Sequence, residues 1–368
     1  MARPLGGTEV LVKPRPAVLR MHPYRPPLEG RQGFLRLDMN ENTAGCSPAV
    51  LQALARRLTP EFLTIYPEYE SSRATLAAAF GRAPEETLFT NGVDEAILLL
   101  LTTFVEPGQR VIVAEPCFDM YRFYASLAGV EVVAVERGPD LQFPLTRVRR
   151  AAGAPRRPGG TSPRAILVDN PNNPTGTALR PAQLEALARD FPHTLLLVDE
   201  AYYDFYGQTV LPLVGRYRNL VVTRTFSKAH GLAGLRFGCL FAHRETAAHL
   251  RKAQSPYSVN SLALAAACQA VRHRSYARRY ARQVVASRKQ FERQLRKMKI
   301  EYVPSSANFV LVRFGERAAA VQKGLRQRGI LIRDRSSELP GSVRITLGTP
   351  AQMRRLMRNL RETLRALR

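Results

Sequence analysis

Between about residues 86 and 242 the chain alternates short apolar runs with helix-length segments, and this alternation restricts the fold more than anything else in the sequence. The runs fall at 87–90, 111–113, 130–135, 165–168, 194–198, 220–222 and 238–242, and they are dominated by Val, Leu and Ile. Strands that show no polar alternation need cover on both faces, and strands separated by helices pair in parallel. The expected fold class is therefore α/β, with a mainly parallel central sheet covered by helices. Helices are expected at 48–58, 71–80, 94–105, 119–128 and 181–189. Ser47-Pro48 supports the first, since proline suits the first helical position. The Arg-, Pro- and Gly-rich stretch 150–163 reads as an exposed loop.

After about residue 260 the texture changes. Long basic amphipathic helices are expected through 260–297, with a break near Arg274-Ser275. Strands follow at 308–312, 330–333 and 343–349, with helices at 317–327 and 350–366. This pattern describes a second, smaller α+β domain. Residues 1–36 are rich in Pro and Arg and read as an arm and extended segment that joins it. The expected division is an arm at 1–36, a large domain at 37–260 and a small domain at 261–368.

The polar clusters sit where strands end. Asn172-Asn173-Pro174-Thr175-Gly176 closes one apolar run, Asp199-Glu200-Ala201-Tyr202 the next, and Thr225-Phe226-Ser227-Lys228 the one after that, with Arg236 close behind. Open α/β sheets bind ligands at the carboxyl ends of their strands. Lysine is the side chain that bonds covalently to a carbonyl cofactor, and hydroxyls with an arginine suit a phosphate. Asn91-Gly92-Val93-Asp94-Glu95 joins a strand to a helix, a turn that offers free backbone N–H groups to an anion. Read singly, each signal has a plainer meaning. Asp199 is equally a helix N-cap, and Lys228 with Arg236 is equally a pair of surface charges on a loop.

The formal net charge of +25 raises the question of anionic partners. The basic residues are mostly arginines scattered along the whole chain, so solvated faces are the expectation rather than a nucleic-acid surface. A nucleic-acid-binding regulator built on an enzyme module is the alternative that this charge motivates. No apolar run reaches eighteen residues, so no membrane-spanning segment is expected. No signal peptide is read in the basic, Pro-broken start, and the expected location is the cytoplasm. Cys46, Cys117, Cys239 and Cys268 form no CxxC pair and have no His cluster, so neither metal nor disulfide is expected.

Taken together and in order, these residues resemble the fold-type I pyridoxal-phosphate aminotransferases. Gly234-Leu235-Arg236-Phe237-Gly238 belongs to that broader pattern, and Asn40-Glu41-Asn42, Tyr66-Pro67-Glu68, Gly92-Val93-Asp94-Glu95 and Val343-Arg344-Ile345-Thr346-Leu347-Gly348-Thr349 narrow the resemblance to the histidinol-phosphate aminotransferases, over roughly 20–368. The resemblance implies pyridoxal 5′-phosphate as cofactor. Lys228 would hold it and move the proton at the substrate α-carbon. Asp199 would pair with the ring nitrogen, Asn173 and Tyr202 with the ring oxygen, and Phe118 would stack on the ring, though an ordinary core aromatic fits that context too. Val93 and Asp94 at the helix start, with Thr225, Ser227 and Arg236, would hold the phosphate. Tyr66 would reach the phosphate from a neighbouring subunit, which implies a homodimer with shared active sites. Arg344 would clamp the α-carboxylate of glutamate or 2-oxoglutarate. Tyr24 and Arg333 would contact the phosphate of histidinol phosphate, and Asn42 would lie near the substrate, where a turn role competes. Thr43, Ala44 and Val93 depart from the usual pattern and bear on substrate choice. The alternatives kept open are an aromatic or other amino-acid aminotransferase and, more remotely, a threonine-phosphate decarboxylase.

Overall fold

The computed structural model describes residues 12–23, 30–153 and 162–367. Tyr24 lies outside the described residues. Among them, twelve strands run in chain order: β1 (Leu35–Leu37), β2 (Thr87–Thr90), β3 (Arg110–Glu115), β4 (Glu131–Glu136), β5 (Ala165–Asp169), β6 (Leu195–Asp199), β7 (Leu220–Thr225), β8 (Gly238–Ala242), β9 (Glu301–Val303), β10 (Phe309–Arg313), β11 (Ile330–Asp334) and β12 (Ser342–Thr346).

Seven of them form one sheet in the order β2-β8-β7-β6-β5-β3-β4. The pairs β3–β4, β3–β5, β5–β6 and β6–β7 are parallel, and β8 runs antiparallel to both its neighbours. This is the mainly parallel α/β sheet that the apolar runs require. The pleat distributes each strand between two cores. Ile166, Val168, Leu196 and Val198 face one, with helices Pro48–Arg57, Pro181–Asp190 and Ser261–Arg272. Ala165, Leu167, Leu195 and Leu197 face the other, with helices Gly92–Phe104, Met120–Ala128 and Arg244–Ala253. Helix Gly92–Phe104 buries Ile97, Leu99, Leu100 and Leu101 there, each worth about 1.5–3 kcal/mol relative to exposure. Its N-terminus is thereby fixed over the carboxyl ends of the central strands.

The second sheet has the order β1-β11-β12-β10-β9. β1 pairs in parallel with β11, Leu35 beside Ile330, so a segment preceding the large sheet completes the small one. Helices Arg274–Lys297, Ala318–Gln327 and Pro350–Ala366 supply its core with Phe291, Val321, Leu325, Leu356 and Leu360.

Two details differ from the sequence expectation. Helix Leu145–Gly153 occupies the start of the stretch read as loop, because Val148 and Ala152, one turn apart, pack on the large core despite the surrounding arginines. Helix Ser261–Arg272 packs on helices Pro48–Arg57 and Glu70–Ala79, on the large-sheet side. We propose on this ground that the division between large and small units falls near His273 rather than at 260.

Candidate active site

The register of the parallel strands brings the site together. Asp169 is the last residue of β5 and Asp199 the last of β6, and they are direct neighbours; Asp199 is in turn beside Thr223 of β7. The row of strand ends thus carries two buried carboxylates, 5% and 4% exposed. Asp169 accepts from Asn172 Nδ2 (2.9 Å) and Asn173 N (2.8 Å). Asp199 Oδ1 accepts from Thr223 Oγ1 (3.0 Å) and Ala201 N (3.1 Å), leaving Oδ2 unbonded among the described residues. Burial, and then the adjacent Asp169, push the Asp199 carboxyl up to about 7. A buried acid of this kind calls for a cationic partner.

Lys228 follows β7 by three residues and points its Nζ at the Met39 carbonyl, 3.1 Å away. Burial, then the nearby Arg344 guanidinium, lower its ammonium to about 8. That is the regime in which an amine serves as nucleophile and base near neutral pH. Tyr202 is buried beneath it, receives a hydrogen bond from Asn40 Nδ2 (2.9 Å), and is pushed up to about 12 mainly by burial. Arg344, on β12, donates to Asn173 Oδ1 and to the Asp38 carbonyl (2.8 Å), while its buried Nε has no partner.

The end of the cleft at the start of helix Gly92–Phe104 is built from close backbone approach. Gly92 has φ +75°, a conformation that favours glycine, and the Arg236 guanidinium rests where a Cβ would lie, 2.4 Å from Nη2. Gly238 of β8 lets that strand pass against the same turn, because its Cβ would meet the Gly92 carbonyl carbon at 3.0 Å. Arg236 Nη2 holds Asp94 Oδ2 at 2.8 Å in the first turn of helix Gly92–Phe104. Ser227 N donates to Thr225 Oγ1 (3.1 Å), which orders the hydroxyls on the opposite side.

Val93, Asp94, Phe118, Asn173, Asp199, Tyr202, Thr225, Ser227, Lys228, Arg236, Arg333 and Arg344 all line one cleft of about 410 Å³. Two expected residues do not line it. Tyr66 is 72% exposed and stacks on Tyr257, their rings 4.5 Å apart, in a separate groove. Asn42 is buried as a clamp, its Nδ2 bonded to the Ala229 carbonyl (2.9 Å) and its Oδ1 to Ala44 N (2.8 Å). Its contribution is to fix the backbone beside Lys228. Residues to which the sequence reading gave no role also line the cleft: Asn40, Asp119, Asp169 and Arg335. Asp169 carried the same signal as Asp199, an acid closing an apolar run. The others are placed by tertiary pairing alone. Among the described residues no cluster of His, Cys, Asp and Glu suits a metal ion.

A doubly covered, mainly parallel sheet with a low-pKa lysine and a buried aspartate at its strand ends is the architecture of the fold-type I transferases. Residues 32–360 match the family of class I and II aminotransferases, and the chain belongs to that family. It is 39% identical to the histidinol-phosphate aminotransferase of Symbiobacterium thermophilum, over 95% of this chain and 98% of that one. It superposes with a TM-score of 0.87 on the crystal structure of histidinol-phosphate aminotransferase from Sinorhizobium meliloti in complex with pyridoxal-5′-phosphate, at 25% identity, covering 98% of this chain and all of that one. It is also similar to the L-threonine-O-3-phosphate decarboxylase of Porphyromonas gingivalis, at 26% identity and a TM-score of 0.75, over 90% of this chain and 99% of that one.

Proposed function

We propose that this enzyme moves an amino group between L-histidinol phosphate and 2-oxoglutarate by a ping-pong mechanism, with pyridoxal 5′-phosphate as cofactor, as a step of histidine biosynthesis. The observation that carries the reading is the single cleft uniting Lys228, buried Asp199, the Gly92 turn with Arg236, and the arginines of the small sheet. The residues present fit the cofactor. Asp199 offers an unbonded carboxylate oxygen in a site that disfavours its charge, which a protonated ring nitrogen neutralises. Val93, Asp94, Thr225, Ser227 and Arg236 line the same cleft and would hold its phosphate.

The cofactor, when bound, supplies an electron sink for the electrons left at the substrate α-carbon. Lys228 would hold it covalently and, as a free amine, would take and return the proton at that carbon. Its lowered pKa gives a larger share of unprotonated amine near neutral pH than an ordinary lysine would have. Asp199 would keep the ring nitrogen protonated. Asn173 and Tyr202 would bond the ring oxygen, and Phe118 would stack on the ring. Arg344 presents a planar fork to a carboxylate, for which lysine is a poor substitute. Replacing Arg344 by lysine should lower kcat/KM for glutamate about 10- to 100-fold, with kcat changing less. Steady-state kinetics at several glutamate concentrations would show this, and an unchanged kcat/KM would remove Arg344 from carboxylate binding.

The assignment itself is tested by loading the enzyme and adding L-histidinol phosphate, L-phenylalanine or L-glutamate singly while following the cofactor spectrum. Conversion by histidinol phosphate and glutamate, with phenylalanine slow, supports it. A faster phenylalanine reaction moves the substrate to the aromatic amino acids. The likeness to a threonine-phosphate decarboxylase sustains a second reading, which CO2 release without any 2-oxo acid would identify.

The working form proposed is a homodimer with shared active sites in the cytoplasm. Leu51, Leu58, Leu63, Ile65, Tyr66 and Tyr257 are large apolar side chains more than half exposed on the single chain, the mark of a surface that another molecule covers. Tyr66 among them would enter the partner's phosphate site. Light scattering should return twice the 41.1 kDa chain mass, and a monomer with full activity would sink the shared-site reading. The cysteines described are all unpaired, as suits a reducing compartment. No described helix is long and apolar enough to cross a membrane. Arginines spread over both units give no reason to invoke nucleic acid.

A further inference from the structure

Arg335 was not singled out by the sequence, and the mechanism above does not use it. It follows β11 directly and extends the ladder, its N–H bonding the Ser342 carbonyl at 3.0 Å. It is 5% exposed, lines the cleft that holds Lys228, and has a buried Nε without a partner. Its Nη1 and Nη2 reach across from the small sheet to Asp119 Oδ2 and Oδ1 at 3.3 and 3.2 Å, and Nη2 also meets Glu338. Asp119 is the residue after Phe118, belongs to the large unit, and caps nothing in the helix it precedes.

The charges around this pair are uneven. Arg333 and Arg344 stand opposite each other in the β11–β12 ladder, and Arg335 lies two residues past Arg333 on the same face of the strand. One pleat repeat is about 6.6 Å. Three guanidiniums therefore line one wall, and both acids facing them, Asp119 and Glu338, bond to Arg335 alone. Arg333 has no side-chain partner among the described residues. Charge-assisted N–H···O bonds typically measure about 2.7–2.9 Å, so the Asp119 contacts are long for a two-pronged ion pair. An incoming dianion with three acceptor oxygens can satisfy the fork better than Asp119 does.

The two proposed substrates differ at this place. Glutamate carries its carboxylate directly on the amine-bearing carbon, within reach of Arg344. Histidinol phosphate carries its phosphate one CH2–O link further out. We propose that Arg335 is a specificity-determining residue, which gives up Asp119 to bind the substrate's phosphate, so that Asp119 is a resident competitor for the phosphate subsite. This rests on the reading of histidinol phosphate as substrate. Selectivity is then set by a balance: Arg335 attracts the phosphate, while Asp119 competes for the same fork and tempers that attraction.

The test uses the holoenzyme of the wild type, Arg335→Gln and Asp119→Asn. Half-reactions with histidinol phosphate and with glutamate are measured separately, together with the thermal shift produced by inorganic phosphate. Arg335→Gln should lower the histidinol-phosphate to glutamate selectivity ratio about 10- to 100-fold and diminish the shift with inorganic phosphate. Asp119→Asn should move both in the opposite direction, raising the ratio and enlarging the shift. If the pair were only a structural latch between the two units, both variants would break it and would change both substrates by one common factor. That outcome, or a ratio falling in both variants, overturns the proposal while leaving the function above intact. A wild type that converts with glutamate and not with histidinol phosphate overturns the substrate reading, and this proposal with it.

Discussion

Replacing Lys228 by alanine is expected to lower turnover by at least about 10⁴-fold, since proton transfer by a positioned side chain is alone worth about 10²–10⁴ and Lys228 is also the proposed covalent anchor of the cofactor. Reduction of the wild type with borohydride followed by peptide mass analysis should place the cofactor on Lys228, and the variant should carry none. The variant should still fold. The site already disfavours the ammonium, lowering it to about 8 by burial and by Arg344, and the group makes one hydrogen bond, to the Met39 carbonyl. A lysine depressed in this way binds fewer protons folded than unfolded, so it weakens the apo protein at neutral pH and this burden fades as pH rises from about 8 toward its ordinary value of 10.5. The apo variant should therefore unfold at a temperature no lower than apo wild type at pH 7, and the two curves should converge at higher pH. Normal turnover in the variant would remove the lysine from the chemistry. Lost turnover with a large drop in unfolding temperature would show the loss to be structural.

The sequence is most informative where chemistry and local structure share one stretch of chain. Asp199 and Lys228 each terminate or follow an apolar run that can only be a buried strand. Their neighbourhood then follows from parallel pairing, with no long-range information needed beyond the order of strands. The Gly92 turn is legible for the same reason, since a glycine between strand and helix presents backbone donors wherever that unit is placed. What escaped depends on partners far away in the chain. Asp119 and Arg335 are separated by 216 positions and meet only because two sheets face each other across the cleft. Nothing in Phe118-Asp119-Met120 marks the acid as more than a helix-start residue. Helix Ser261–Arg272 is another case. Its alanines suit close packing against any apolar surface, and only the tertiary contacts assign it to the large sheet. Tyr66 is legible as a motif, yet its proposed role cannot be expressed within one chain, where its ring lies on Tyr257 in a separate groove.

Replacing Asp199 by asparagine should give the second-largest loss, and its signature is opposite in the two states of the protein. In the loaded enzyme the neutral amide cannot hold a proton on the ring nitrogen. Removing one member of a buried charge pair costs about 3–5 kcal/mol, or roughly 160- to 5,000-fold in kcat. The variant should still bind the cofactor covalently, because Lys228 and the Gly92 turn are untouched. In the apo protein the carboxylate is instead a burden. Its folded pKa is about 7 against an ordinary 3.8, so the folded state binds the proton more tightly and Asp199 subtracts stability as pH rises through that interval. Apo Asp199→Asn should accordingly melt above apo wild type at pH 8, and the difference should shrink steadily as pH falls toward 4. Adding cofactor should reverse the order, since the wild type alone gains the ion pair. Thermal melts of both proteins at several pH values, with and without cofactor, read all three signs. If the apo wild type proved the more stable at pH 8, Asp199 would be a structural hydrogen-bonding group whose carboxylate is already satisfied by Thr223 and the Ala201 N–H. The buried charge would then have no need of a cationic partner, and the argument from this residue to the cofactor would fail.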